Sequence, residues 1–240
     1  MSRVALVTGG TRGIGAAISQ ALKAQGRTII ASYAGNDAAA SAFSAETGIP
    51  VMRFDAGDFA ACQAAVQSIH TEHGPIEILV NNAGITRDTT ISKMTRDMWD
   101  SVLDTNLGSC FNLCKLTFEG MKAKKFGRVV NVGSINGQAG QYGQVNYAAA
   151  KSGIQGFTKA LAQEGARFGI TANAIAPGYV DTDMVRAVPE DVLQKIIARI
   201  PMGRLGQAWD IARGVVFLTA DDADFVTGST LSINGGQHMY

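Results

Sequence analysis

With 240 residues, 46% of them apolar, the chain can bury one sizeable core, and a single domain over residues 1–240 accounts for its length. A formal net charge of +1 gives no overall attraction to phosphate polymers or anionic lipid, so nucleic acid and membrane are not expected as partners. Three cysteines, Cys62, Cys110 and Cys114, are odd in number and too sparse for a disulfide framework, and a reducing cytoplasm is the expected setting.

Met1-Ser2-Arg3 leads directly into the apolar run at residues 4–7, without a signal-peptide pattern. No apolar run reaches the length of a membrane span. From there, short β-branched runs alternate with longer Ala-rich amphipathic stretches, the pattern of a parallel sheet covered by helices on both faces. Strands are predicted at residues 4–8, 28–32, 51–54, 78–81, 128–132, 171–175 and 231–233. Seven such strands imply one doubly wound α/β sheet of the Rossmann type, whose ligand crevice lies beyond the carboxyl ends of the strands. The glycine-rich stretch 9–15, Asp55, Asn82 to Gly84, Ser134 and Pro177-Gly178 each follow a predicted strand. No repeat, low-complexity tract or linker divides the chain. Residues 179–205 depart from the alternation; their length suits either a substrate lid or a surface helix pair. His70 and His73 share a predicted helix face but lack further ligands, so no metal is expected. Cys110 and Cys114 read as helix packing residues.

The first turn, Thr8-Gly9-Gly10-Thr11-Arg12-Gly13-Ile14-Gly15, lets the backbone approach a pyrophosphate at a helix amino terminus, although its spacing differs from the common G-x-G-x-x-G fingerprint. The end of the second strand reads Ala31-Ser32-Tyr33-Ala34-Gly35-Asn36, with no acid before Asp37. An acid there would bond a ribose 2′-hydroxyl and repel a 2′-phosphate. Arg12 offers a planar cationic fork to such a phosphate, so NADPH is expected over NADH, with Ser32 assisting.

Tyr147 and Lys151 stand four apart in a predicted helix over residues 146–168, hence on one face. An ammonium there is expected to lower the phenol pKa toward working pH, making Tyr147 a proton donor. Ser134, just past the fifth strand, can reach the same substrate oxygen. Together with residues 8–15, Asn81-Asn82-Ala83-Gly84, Asn106 and Pro177-Gly178, these residues resemble the short-chain dehydrogenase/reductase family, classical type, over essentially the whole chain.

The resemblance implies Tyr147 as general acid, Ser134 as the group polarising the carbonyl, Lys151 holding the nicotinamide ribose, and Asn106 anchoring a water in the proton relay. It also implies a cofactor site of Gly9, Thr11, Arg12, Gly13, Ile14 and Gly15, with Ser32, Asp55 and Ala56 at the adenine end and Asn82, Ala83 and Gly84 along the adenosine. Tyr147, Lys151, Pro177, Gly178, Val180 and Thr182 complete it around the nicotinamide. A homotetramer is implied, packed through residues 99–122 and 146–168 and through the last strand.

Within the family the chain is similar to two groups that reduce a 3-ketoacyl thioester, one acting on acetoacetyl-CoA, the other on an acyl-carrier protein. The stretch 136–144 and the ending 234–239 favour the acyl-CoA group. Gln141 and Gln144 would offer amides to the substrate, Tyr142 an aromatic wall, and Asp88 and Tyr179 the pocket rim. Cations at Arg186, Lys195 and Arg199 would meet the phosphates of CoA, although Pro189 stands where a basic residue is expected. A carrier protein would need a basic surface, for which Lys122, Lys124, Lys125 and Arg128 are the candidates. A subunit that binds NADP without catalysis and a steroid, sugar or small-alcohol dehydrogenase are the other classes considered; the intact Asn106, Ser134, Tyr147 and Lys151 set argues against the first.

Overall fold

The computed structural model describes residues 2–182, 185 and 189–239. Seven strands, β1 (Val4–Val7), β2 (Thr28–Tyr33), β3 (Val51–Arg53), β4 (Ile76–Asn81), β5 (Gly127–Val132), β6 (Ile170–Pro177) and β7 (Thr230–Ile233), form one sheet. Their order is β3-β2-β1-β4-β5-β6-β7, and every pairing is parallel. The chain leaves β1 in one direction and returns to β4 on its other side, which places the topological switch point between these two strands.

Helices α1 (Gly13–Ala24), α2 (Asp37–Thr47), α3 (Phe59–His73), α4 (Arg96–Leu103), α5 (Ser109–Lys124), α6 (Ile135–Ala139), α7 (Val145–Gly165), α8 (Glu190–Ile197) and α9 (Ala208–Thr219) surround it. On one face Ile18 and Leu22 of α1 pack with Ile211, Val215 and Leu218 of α9 against Val7, Val80 and Val130. On the other, Ile69 of α3, Leu113 and Met121 of α5 and Ala162 of α7 pack against Leu6, Leu79 and Val129. Alternate residues of each central strand thus enter opposite cores, which is why β5 is buried along its whole length.

All seven predicted strands are present, with shifted ends. The fourth begins two residues early, at Ile76, and the sixth extends to Pro177, whose missing N–H does no harm at a strand terminus. The last helix turn before β6 is a 3₁₀ turn, Ala166–Phe168, closed by Gly169 at φ +73°. The three cysteines are free and buried, Cys110 and Cys114 within α5 as expected of helix packing residues.

Of the candidates for a basic surface, Lys122, Lys124, Lys125 and Arg128, the last does not contribute. Arg128 is 2% exposed because its guanidinium turns inward, donating to the carbonyls of Ala220 (3.1 Å), Gly127 (2.9 Å), Gly169 (3.2 Å) and Asp221 (3.0 Å). It also lies 4.3 Å from the Phe126 ring centroid. Lys122 pairs with Glu119 at 2.9 Å, leaving Lys124 and Lys125 exposed.

Arg128 is therefore a fastener of loop carbonyls at the amino-terminal edge of the sheet. Arg128→Leu is expected to cost about 3 kcal/mol in urea unfolding, because several buried acceptors lose their donor at once. Lys124→Gln should stay within about 0.5 kcal/mol of the parent.

Candidate active site

The crevice at the switch point is built on Thr8. Its hydroxyl accepts the N–H groups of Asn82 and Ala83, both at 2.9 Å, while Asn82 Nδ2 donates back to the carbonyls of Thr8 (2.9 Å) and Gly9 (3.2 Å). These bonds clamp the loop after β4 to the turn after β1. Gly9 and Gly13 adopt φ of +58° and +52°, and a Cβ on Gly15 would lie 2.0 Å from the Gly9 carbonyl oxygen. Only glycine permits that crossing. Arg12 precedes α1 and supplies no side-chain cap, so the first amides of the helix point into the crevice, where a phosphate would satisfy them.

The other expected cofactor residues lie at or beyond the carboxyl ends of the same parallel strands. Thr11 and Ser32 are buried, and the Ser32 carbonyl accepts the Gly10 N–H at 2.9 Å; of the two groups assigned to a 2′-phosphate, Arg12 is the exposed one. Asp55 accepts the Gly57 N–H at 2.8 Å, and Asn112 of α5 holds the Ala56 carbonyl at 3.0 Å. After β6, Gly178 approaches Asn234 so closely that a Cβ would sit 2.8 Å from its Cα. Val180 pairs with Gly206, and Thr182 Cγ2 would lie 3.6 Å from a Cβ on Gly13, so this segment crosses over the glycine turn. The cradle fits a dinucleotide.

Beside it stand the four residues expected to do chemistry. Lys151 is buried and donates from Nζ to the Val132 carbonyl at 2.8 Å. Its ammonium lies 5.6 Å from the Tyr147 ring centroid, and burial pushes its pKa down to about 8. The phenol of Tyr147 does not follow the expected direction. Burial pushes it up, a hydrogen bond with Ser134 pulls it down, and Asp88 and Tyr179 push it up again. Desolvation of the phenolate outweighs the help of a lysine whose proton is already directed at a carbonyl.

Asn106 sits in a π-helical turn, Asp104–Gly108, between α4 and α5. Its side chain accepts the Ile85 N–H at 2.8 Å and donates to the Ile85 carbonyl at 2.9 Å. A Cβ on Gly84 would lie 2.8 Å from Asn106 Oδ1 and 3.5 Å from Lys151 Nζ, so amide and ammonium are neighbours across that glycine. Cys110, one turn on, is buried against the same lysine, and burial raises its thiol to about 11.

Two supporting residues escaped the sequence reading. Asn146, fully buried, accepts the Tyr147 N–H at 2.8 Å and donates to the carbonyls of Met98 (3.0 Å) and Arg87 (3.3 Å). Gly137 lets α6 rest on the α7 backbone: a Cβ there would be 2.6 Å from the Lys151 carbonyl carbon. The available signals were an amide directly before the tyrosine and a glycine three residues after the serine.

The residues expected at the substrate rim are only partly gathered. Gln144 donates from Nε2 to Asp88 Oδ2 at 2.7 Å and accepts from Asn136 Nδ2 at 2.8 Å. Gln141 is exposed, and Tyr142, 87% exposed, forms no wall. Tyr179 lines a cavity of about 370 Å³ with Ile200, Met202, Arg204 and Asn234. In the excursion after β6, Lys195 pairs with Asp191 at 3.4 Å, and Arg199 is exposed. Arg186 lies outside the described residues. His70 and His73 are solvent-exposed, and among the described residues no cluster of three or more His, Cys, Asp or Glu could hold a metal ion. No helix among the described residues is long and apolar enough to cross a membrane.

This arrangement has relatives. Residues 9–238 match the family model described as enoyl-(acyl carrier protein) reductase. The chain belongs to the short-chain dehydrogenase/reductase family. An acetoacetyl-CoA reductase of Shinella zoogloeoides is 60% identical over 238 residues, 99% of each chain. One from Rhizobium meliloti is 59% identical over 240 residues, the whole of both. A 3-oxoacyl-[acyl-carrier-protein] reductase of Salmonella typhimurium is 44% identical over 239 residues, 99% of this chain and 98% of that one. As a short-chain dehydrogenase/reductase the protein is an oxidoreductase with a nicotinamide cofactor.

The lysine of this short-chain dehydrogenase/reductase leaves a measurable trace in stability. Its pKa is about 8 when folded, against an ordinary 10.5, so between these values the unfolded chain binds more protons and stability gains with rising pH. The thiols of Cys62 and Cys110, raised to about 11, act in the opposite sense in parent and variant alike. Urea unfolding of wild type and Lys151→Met from pH 7.5 to 9.5 is therefore expected to show a more positive slope of stability against pH in the wild type. Parallel curves would contradict the buried ammonium.

Proposed function

We propose that the protein reduces acetoacetyl-CoA to (R)-3-hydroxybutyryl-CoA with NADPH, in the reducing cytoplasm. The observation that carries the reading is the hydroxyl pair of Ser134 and Tyr147 set over the buried ammonium of Lys151. Two O–H donors suit one carbonyl oxygen, whereas a carbon–carbon double bond offers them no acceptor. The acyl-CoA substrate draws support from relatives of 57–60% identity that bear the name acetoacetyl-CoA reductase. The carrier-protein alternative loses support with Arg128, which faces inward.

The cradle would hold the pyrophosphate on the first amides of α1, with Gly9, Thr11, Gly13, Ile14 and Gly15 shaping the turn. Arg12, with Ser32, would meet the 2′-phosphate; Asp55 and Ala56 border the adenine, and Asn82, Ala83 and Gly84 the adenosine. Lys151 would bond the nicotinamide ribose, with Pro177, Gly178, the Val180 backbone and Thr182 around the carboxamide. When bound, the nicotinamide supplies the hydride that the carbonyl carbon receives.

Ser134 Oγ accepts the Asn136 N–H at 3.1 Å; its own proton, directed at the Tyr147 oxygen in the resting site, would turn to the carbonyl oxygen when substrate enters. As that oxygen becomes an alkoxide, Tyr147 gives up its phenolic proton to it. The phenolate so formed offers the desolvated Lys151 ammonium the counter-charge it lacks beforehand, so the pair is stabilised more in the transition state than in the resting enzyme. The Asn106 side chain is committed to Ile85; a water that restores the tyrosine proton would be anchored at its main-chain carbonyl.

Residues 1–240 act as one domain, with residues 179–205 as a lid: Tyr179, Asp88, Gln141 and Gln144 would rim the acyl end, while Arg186, Lys195 and Arg199 would meet the CoA phosphates. The assembly is a homotetramer. Support comes from a groove of about 620 Å³ between α5 and α7, lined by Phe111, Phe118, Phe157 and Phe168, and from Phe217 and Phe225, exposed at 54% and 99%.

Loss of NADPH absorbance on addition of acetoacetyl-CoA tests the reaction. Tyr147→Phe is expected to lower kcat roughly 100-fold or more, and no turnover of any ketoacyl thioester by the wild type would favour a binding subunit without catalysis. Turnover that prefers acetoacetyl-carrier protein would move the assignment to the other substrate. For the cofactor, Arg12→Ala should narrow the NADPH over NADH preference by about tenfold or more, the worth of a charge-assisted bond. An unchanged preference would remove Arg12 from that role.

A further inference from the structure

Ser134 and Tyr147 must meet one oxygen, yet they belong to different elements. Ser134 caps α6, and Tyr147 lies in the first turn of α7. The loop between them turns at Gly140 and Gly143, at φ of +74° and +79°, residues with the widest backbone freedom. That loop adds nothing to the spacing of the two hydroxyls beyond the seat of α6 on the α7 backbone at Gly137, a main-chain contact that leaves the side chains to be oriented.

Side chains make good the deficit. The Asn136 N–H donates to Ser134 Oγ at 3.1 Å, and Asn136 Nδ2 donates to Gln144 Oε1 at 2.8 Å. Gln144 Nε2 then donates to Asp88 Oδ2 at 2.7 Å, on the loop after β4. Gln144 directly precedes α7, where a polar side chain ordinarily caps the helix, but it makes no capping bond. Its amide is directed sideways instead. The orientation has one solution: an ionised Asp88 only accepts, so the NH₂ group must face it and the oxygen must face Asn136.

We propose that Asn136, Gln144 and Asp88 form a brace that fixes the separation of the Ser134 and Tyr147 hydroxyls, with Asn136 a positioning residue acting through both. The inference rests on the reading of that pair as partners in ketone reduction. A chain of amides is suited to the task because each link has a defined length and direction, and a small misplacement of reacting groups is costly in rate.

The decisive variants are Asn136→Ala, and Gln144→Glu alone and combined with Asp88→Asn, each checked by melting temperature. With acetoacetyl-CoA, Asn136→Ala is expected to lower kcat about tenfold, with KM within about threefold and NADPH affinity unchanged. Gln144→Glu sets a carboxylate against Asp88 and should lose activity similarly; adding Asp88→Asn restores a donor to that contact and should raise kcat severalfold above Gln144→Glu alone, whatever the change in KM at the substrate rim. Ultraviolet titration of the Tyr147 phenol without substrate, read as the difference from Tyr147→Phe, reports the pair directly. The groups facing that phenol are Ser134, Lys151, Asp88 and Tyr179. Loss of the Ser134 bond in Asn136→Ala should move the titration upward.

A raised KM with unchanged kcat, an unmoved phenol titration in Asn136→Ala, or no recovery in the double variant would overturn the brace. A wild type inert toward acetoacetyl-CoA would instead overturn the substrate assigned above, and the phenol titration would still decide the brace.

Discussion

A buried ammonium governs this site. Lys151 is 4% exposed, and among the described residues its hydrogen-bond acceptor is the Val132 carbonyl, which answers a fraction of what water offers an ammonium. Burial without that compensation pushes its pKa down to about 8. The phenol above it is displaced in the opposite direction, also by burial. Neither group is comfortable in its charged form alone, and each becomes so when the other is charged. In the proposed reaction, moving the tyrosine proton onto a substrate oxygen would create an ion pair whose desolvation has already been met in folding, which is how a static site can favour the transition state over the ground state.

Holding a charge in so dry a place requires backbones to come unusually close. Gly137 brings α6 onto the α7 backbone at Lys151, and Gly84 brings the loop after β4 beside the ammonium. The π turn at Asp104–Gly108 then turns the Asn106 amide onto both backbone groups of Ile85. Beneath, Asn81 donates to Asn131 at 2.8 Å and Asn131 to Thr158 at 2.9 Å, a polar chain through the core from β4 to α7. Such a network favours one arrangement of strands and helix, because another would unpair more of it, although Asn81 Oδ1 is itself buried without a partner among the described residues.

Periodicity made the sheet legible: every predicted strand exists, since β-branched runs bounded by glycine and helix patterns have one economical arrangement. The tyrosine and lysine were legible because a helix converts a spacing of four into a shared face. What the sequence could not convey was the balance of forces at a site whose burial it does not report, and so the phenol pKa was expected to fall where it rises. Arg128 misled for a related reason. It follows three lysines and a glycine, and local composition says surface, but it is the second residue of β5, where carbonyls of Gly169, Ala220 and Asp221 from distant segments converge with that of its neighbour Gly127. Gln144 was legible as a functional amide, not as one bonded at both ends, since its partners Asn136 and Asp88 are brought to it by separate loops.

These contrasts divide the molecule into a rigid half and a compliant one. Around Lys151 nearly every polar group has a partner within the protein, and reaction geometry is established before substrate arrives. Toward the outer rim the character changes: Tyr142 is almost wholly exposed, and α8 buries none of its residues. A thioester entering such a site would find its ketone held by prepared groups and its distal end met by side chains that must first be ordered, at an entropic cost for each. Discrimination among substrates then falls chiefly to the inner wall, where the brace from Asp88 to Asn136 stands between the two halves. A carrier attached further out can vary with less effect on the chemistry, which is consistent with relatives of similar length bearing names for both CoA and carrier-protein substrates.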